Sequence, residues 1–226
     1  MTIALDATLS RRTLLAGLAS TSALLLAGCA TTARPSAPVE PLRPIVPPDV
    51  AMMYGPLPLE EFPIPAADVS LMDPRFWRQE VENITGQPQH TVVVDTANFV
   101  LYWTMPNGRA MRYGVGLGRA GFEWSGEGHI AYKRKWPVWT PPAEMILRQP
   151  EIEKYRHGQP PGLDNALGAR ALYIHQGQKD TLYRIHGTMD VPTIGKAVSS
   201  GCVRLLFHDV IDLHDRVIPG SKIVVI

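Results

Sequence analysis

The sequence predicts a mainly β domain, sandwich-like or barrel-like in architecture, with one short helix near its C-terminal end. Three observations predict it. From Thr91 onward apolar residues recur at period two: Val92 and Val94, then Phe99, Leu101 and Trp103. That spacing suits half-buried strands. Pro106-Asn107-Gly108 is a turn signal leading into Arg109–Val115, so a hairpin is expected there. Late in the chain, His208–Val217 carries helical spacing, with Val210, Ile211, His214 and Val217 on one face.

Residues 1–29 read as an export signal, in which Arg11 and Arg12 precede an apolar stretch from Leu14 to Gly28. The stretch is short of the ~20 apolar residues that span a bilayer. Ser10-Arg11-Arg12-Thr13-Leu14-Leu15 resembles a twin-arginine export motif; an ordinary basic n-region is the other reading. Leu26-Ala27-Gly28-Cys29 resembles a lipobox, which would make Cys29 a lipidated N-terminus; plain cleavage nearby is the alternative.

Residues 30–67 form a Pro-rich linker, with 10 prolines between Pro35 and Pro65 out of 21 in the chain. Proline fixes φ and lacks the N–H donor, so this stretch is expected to be extended and poorly ordered, as a stalk or a plain linker. Residues 68–87 are a lead-in with a short helix expected around Arg75–Glu82. The domain proper is residues 88–226. Gly114, Gly116, Gly118 and Gly121 mark strand ends and turns, because no strand–GxGxxG–helix order accompanies them. Further strands are expected at Ala171–Gln176, Thr181–His186 and Lys222–Ile226.

Lys and Arg number 22 against 21 Asp and Glu, a net charge of +1 in 226 residues. Such a balance carries no electrostatic footprint for nucleic acid. Apolar residues at 45% and charged ones at 19% are globular composition. Two cysteines, Cys29 and Cys202, exclude a disulfide scaffold and a cysteine-rich zinc module. If Cys29 is lipidated or removed, Cys202 has no intramolecular partner. In an oxidising compartment such a thiol is a liability unless buried or used.

The chemistry-bearing residues lie in Tyr183-Arg184-Ile185-His186-Gly187-Thr188 and Ser199-Ser200-Gly201-Cys202-Val203-Arg204. A thiolate is the nucleophile of cysteine chemistry, and an adjacent imidazole can take its proton, holding a thiolate–imidazolium pair. Gly201 permits close approach of the backbone to a reacting carbonyl, and nearby N–H groups could hold its oxyanion. Arg204 could bind a carboxylate bidentately. The plainer reading makes Cys202 a small buried hydrophobe and His186 a strand-end residue.

The pattern H-G-T followed by S-x-G-C-x-R resembles the signature of the L,D-transpeptidase (YkuD-type) catalytic domain. The likeness extends over roughly residues 90–226. Trp136-Pro137-Val138-Trp139-Thr140-Pro141-Pro142-Ala143-Glu144-Met145-Ile146 is similar to the tryptophan–proline segment of the proteobacterial envelope branch. Leu167–Tyr173, Gly195–Cys202 and Asp209–Leu213 continue it. The resemblance implies acyl transfer on peptidoglycan stem peptides. Cys202 would attack between a diamino acid and D-alanine, and an amine would resolve the thioester. His186 would be base and acid, with the Gly187 carbonyl orienting its ring. Arg204 would position substrate, with Ser200, Gly201 and Tyr173 as further contacts. No metal or organic cofactor is implied. Partners would be stem peptides and, as one acceptor, an outer-membrane protein. The location would be the periplasm, with a lipid anchor at the N-terminus.

Ser200 departs from the family, many of whose members carry His there. Tyr173 reads as core rather than as a cleft residue, and Trp136 and Trp139 as loop packing or cleft wall. His175 reads as a surface or strand residue, and Lys133-Arg134-Lys135 as a solvated basic run. His208 and His214, six apart, suit a packed helix rather than a metal site. Two other functions compete. A cysteine hydrolase would resolve the same thioester with water, though His before Cys is the reverse of the papain-like order. An inactive wall-binding lipoprotein would not need the intact His186, Gly201, Cys202 and Arg204.

Overall fold

The computed structural model describes residues 43–118, 125–199 and 201–226. The export signal with Cys29, linker residues 30–42, Gly121 and Ser200 lie outside the described residues. Residues 43–226 form one compact unit. Among the described residues no helix is long and apolar enough to cross a membrane.

The β-branched run of β2 (Thr91–Asp95) and the hairpin of β3 (Val100–Thr104) and β4 (Arg109–Gly114) begin the sheet. Asn107 and Gly108 make the turn with φ of 59° and 66°, the left-handed pair that matches strand twist. Strand β1 (Gln79–Glu82) adds an edge to β4. The other half holds β6 (Gly126–Lys135), β7 (Arg170–Gln176), β8 (Lys179–Thr188) and β10 (Val203–Leu206). Strand β11 (Lys222–Val225) returns to join the halves, parallel to β2 and antiparallel to β6. The order is β1-β4-β3-β2-β11-β6-β7-β8-β10, with a separate ribbon of β5 (Leu117–Gly118) and β9 (Ala197–Ser199).

One core takes side chains from both halves: Val92, Leu101 and Tyr113 meet Ile130, Leu172, Ile185 and Leu205. The sheet therefore curls around a shared interior, as the sandwich-like reading expects. The helix α3 (Phe207–Arg216) fills it with Val210 and Leu213. The Lys133 ammonium donates to the carbonyls of His214 and of Val217 (2.6 Å), satisfying the helix C-terminus.

Three local expectations differ. The tether does not hold for residues 43–67, which fold against the sheet. Helix α1 (Pro48–Met53) starts with proline at its first position, where a missing N–H is harmless, and Val50, Tyr54 and Ile64 are buried. The helix around Arg75–Glu82 is instead a 3-10 turn, Pro74–Phe76, followed by β1, because the open edge of β4 pairs its backbone. Strand β3 is buried along its whole length rather than half-buried. Val93, Val100 and Tyr102 point away from the main core and are covered by Val50, Tyr54, Met72, Phe76 and Trp77.

Polar bonds pin this N-terminal cover. The Tyr54 hydroxyl donates to Asp209 at 3.1 Å, and Arg78 lies 3.8 Å from Asp209 and 3.4 Å from Asp212. His208 Nε2 bonds the Gly55 carbonyl at 2.7 Å. Asp209 is 1% exposed, and burial raises its pKa to about 7 despite Arg78.

Candidate active site

Strands β8 and β10 pair in parallel, with Val203 opposite Ile185 and Arg204 opposite His186. Side chains alternate across a strand. Ile185, Val203 and Leu205 enter the core, so Arg184, His186 and Arg204 share the opposite face. On β7, Ala171 stands opposite His186 and Tyr173 opposite Arg184. On β6, Tyr132 stands opposite Tyr173 and Arg134 opposite Ala171. Two cross-strand rows result, and Cys202 immediately precedes β10 at the end of the row that holds Arg184.

That row is tightly stacked. The Tyr132 and Tyr173 rings lie 4.2 Å apart at 17°. The Arg184 guanidinium lies 4.5 Å over the Tyr173 ring, and both its terminal nitrogens donate to Asp180, at 2.7 and 2.8 Å. The Arg184 backbone amide hydrogen-bonds the Cys202 thiol.

Cys202 opens onto a cleft of about 490 Å³, walled by Tyr173, Tyr183, Arg184 and Gly201 on the sheet side. Trp139 and Met145, the latter from helix α2 (Ala143–Arg148), face them. Tyr173 is therefore both buried and part of the cleft wall. Gly201 has φ of 133°, a conformation that residues with a Cβ rarely adopt, just before the thiol. Arg204 and Gly187 line a separate cavity of about 280 Å³. The structure thus divides the sequence-selected residues between two openings.

His186 is buried, and its Nδ1 lies 3.1 Å from the Gly187 carbonyl oxygen. A carbonyl only accepts, so Nδ1 carries the hydrogen and Nε2 keeps its lone pair. Burial lowers the His186 pKa to about 4, with the Arg204 charge adding to the effect. Burial also pushes the Cys202 thiol up, against the Arg184 amide and two arginine charges. Both directions favour a neutral thiol and a neutral imidazole over the expected thiolate–imidazolium pair.

Sequence reading missed Arg184 and Asp180. Arg184 lies two residues before His186 on one strand, and that spacing alone places both on one face. The partnership with Asp180 depends on the bend at Leu182, where φ is 63°.

Residues 89–226 match the L,D-transpeptidase catalytic domain family, YkuD. The probable L,D-transpeptidase YcfS of Escherichia coli K12 is 31% identical over 62% of this chain and 44% of its own length. The chain therefore spans less than half of that relative. A putative L,D-transpeptidase of Fuscovulum blasticum is 29% identical over 70% of this chain and 79% of its own length. Among solved structures, a Brucella melitensis protein described as a probable carnitine operon oxidoreductase is 43% identical. It aligns over 69% of this chain and 96% of that one, with a TM-score of 0.48. With the match running through β2 to β11 and the whole cleft face, the chain belongs to the L,D-transpeptidase catalytic domain family.

Proposed function

We propose that this chain transfers acyl groups between peptidoglycan stem peptides, with Cys202 as nucleophile and His186 as base and acid. The observation that carries this reading is the shared face of β8 and β10. It puts a cleft-lining thiol beside a strand whose histidine is held with Nε2 unprotonated.

The Cys202 sulfur attacks the carbonyl between the diamino acid and D-alanine while Nε2 takes the thiol proton. The oxyanion collapses, the C–N bond breaks, and the imidazolium returns its proton to the departing D-alanine amine. An acceptor amine then attacks the thioester and gives its proton to Nε2, and the thiolate leaves and is reprotonated. Neutral resting groups make proton transfer concurrent with attack, as in general-base catalysis. Gly187 supplies the orienting acceptor in place of a carboxylate. Arg204, Ser200, Gly201 and Tyr173 complete the substrate contacts.

Export and a lipid on Cys29 would place this chemistry in the periplasm, with an outer-membrane protein as one acceptor. Hydride transfer is not favoured: Gly114 and Gly118 lie within strands β4 and β5 rather than in a loop that would cradle a dinucleotide.

The test is mass spectrometry of purified disaccharide tetrapeptide incubated with the full chain and with Cys202→Ala. A dimer lacking one D-alanine, formed only with the thiol, is expected. Tripeptide without dimer would assign hydrolysis, and an unchanged tetrapeptide would overturn the reading.

A further inference from the structure

Trp136 is buried with φ of 42°, in the left-handed region that a bulky residue adopts only where its surroundings enforce it. Three contacts enforce it here. Its backbone N–H donates to the Ala169 carbonyl at 2.9 Å. Its indole N–H donates to Glu60 at 3.0 Å, and Glu60 also holds Arg170 at 2.6 Å, a guanidinium only 3% exposed. The Phe62 ring covers it at 4.9 Å.

The indole in turn meets Phe207 edge to face, with centroids 6.0 Å apart. Phe207 is wedged against two glycines. A Cβ on Gly168 would stand 2.2 Å from the ring, and one on Gly187 would stand 2.7 Å from it. Gly187 is also fixed by its N–H bond to the Leu167 carbonyl, at 3.0 Å. Its own carbonyl is the acceptor for His186 Nδ1. A continuous path of contacts therefore runs from Glu60, in the N-terminal cover, to the imidazole.

We propose that Trp136, clamped by Glu60, is a positioning residue for His186, acting through Phe207 and the Gly187 carbonyl. The inference rests on the reading of His186 as the base. The clamp restrains the Phe207 ring, the ring restrains the Gly187 peptide plane, and that plane decides which imidazole nitrogen carries the hydrogen. It gives residues 57–64 a role in the chemistry without any contact with substrate.

The test uses the full chain with Glu60→Gln, Glu60→Ala and the pair Glu60→Met/Arg170→Met, which leaves no buried charge unpartnered. Tyr54→Phe is the control. It loosens the same segment at Asp209 but leaves the Glu60–Trp136 contact. Two readouts are taken: the single-turnover acylation rate with tetrapeptide, and the His186 ring-nitrogen NMR shifts, which report the tautomer without substrate.

Expected is a tenfold or greater fall in acylation rate for the Met pair, with KM unchanged and a mixed tautomer. Glu60→Gln, which keeps an acceptor for the indole, should restore both. Tyr54→Phe should lower the melting temperature with rate and tautomer unchanged. A Met pair with native rate and native tautomer would overturn the inference. So would a Tyr54→Phe variant that loses rate in step with stability. If the unaltered chain shows no turnover, the functional reading falls, and the tautomer signal alone decides whether the clamp orients His186.

Discussion

Arg204 stands directly opposite His186 in the parallel β8–β10 pair, both on the face turned away from the main core. Its charge helps to keep the imidazole neutral, after the larger effect of burial. Arg204→Ala should therefore raise the His186 pKa from about 4 toward the ordinary 6.5. It should also push the Cys202 thiol further up, since Arg204 is among the charges holding it down. The acid limb of the acylation profile should move to higher pH. A limb that stays in place would make Arg204 a substrate contact alone.

With Arg204 intact, the base is already free at mildly acidic pH. The acid limb of kcat/KM should lie near pH 4, because His186 is protonated only below that value. Stopped-flow acylation between pH 3.5 and 8 measures it. A limb near 6.5 would show that the imidazole is solvated in the working enzyme.

Cys202→Ala should abolish turnover and, in a fragment beginning at Arg43 that lacks Cys29, labelling by thiol reagents. Cys202→Ser should bind tetrapeptide without releasing D-alanine, since a serine hydroxyl beside a weakly basic imidazole is a poor nucleophile. Isothermal titration together with D-alanine release separates the two effects.

Gly187→Ala places a methyl group about 2.7 Å from Phe207 and should destabilise the fold. Overpacking of this kind typically costs about 1–3 kcal/mol. Activity should fall further than stability, because the displaced carbonyl also serves His186. Chemical denaturation compared with turnover at the same temperature gives the split.

Asp209 titrates in the opposite direction from an ordinary salt-bridged carboxylate. Its folded pKa of about 7 exceeds the unfolded 3.8, so the folded state binds more protons between those values. Stability from this group is fully present below pH 3.8 and is lost as pH rises through about 7. Asp209→Asn should flatten that loss, seen as a smaller drop in Tm between pH 5 and 8 than in the native chain.

Much of this arrangement is visible in the linear sequence, and for definable reasons. Period-two apolar spacing places β2 and β3, Pro106-Asn107-Gly108 places the turn that leads into β4, and α3 is placed by Val210, Ile211, His214 and Val217. Cys202, His186 and Gly187 stand out through the H-G-T and S-x-G-C-x-R motifs, of which β8 and β10 bring His186 and Arg204 to one face. What stays hidden depends on contacts distant in sequence. Tyr54 meets a partner 155 residues away, and Trp136 meets Glu60 across 76. Proline density, which usually signals an extended tether, conceals the apolar side chains between the prolines that bury against β3.

The N-terminal cover also sets where the polypeptide can be cut. A fragment trimmed to residues 89–226, the extent of family homology, would bare Val93, Val100 and Tyr102 as one apolar surface. It would strip Asp209 of Arg78 and Tyr54, and Arg170 of Glu60. Such a fragment should aggregate on expression, whereas one beginning at Arg43 should stay monodisperse. The stretch before the homologous domain is therefore part of the minimal folding unit, and any library, fusion or crystallisation boundary drawn from homology alone would fall inside it.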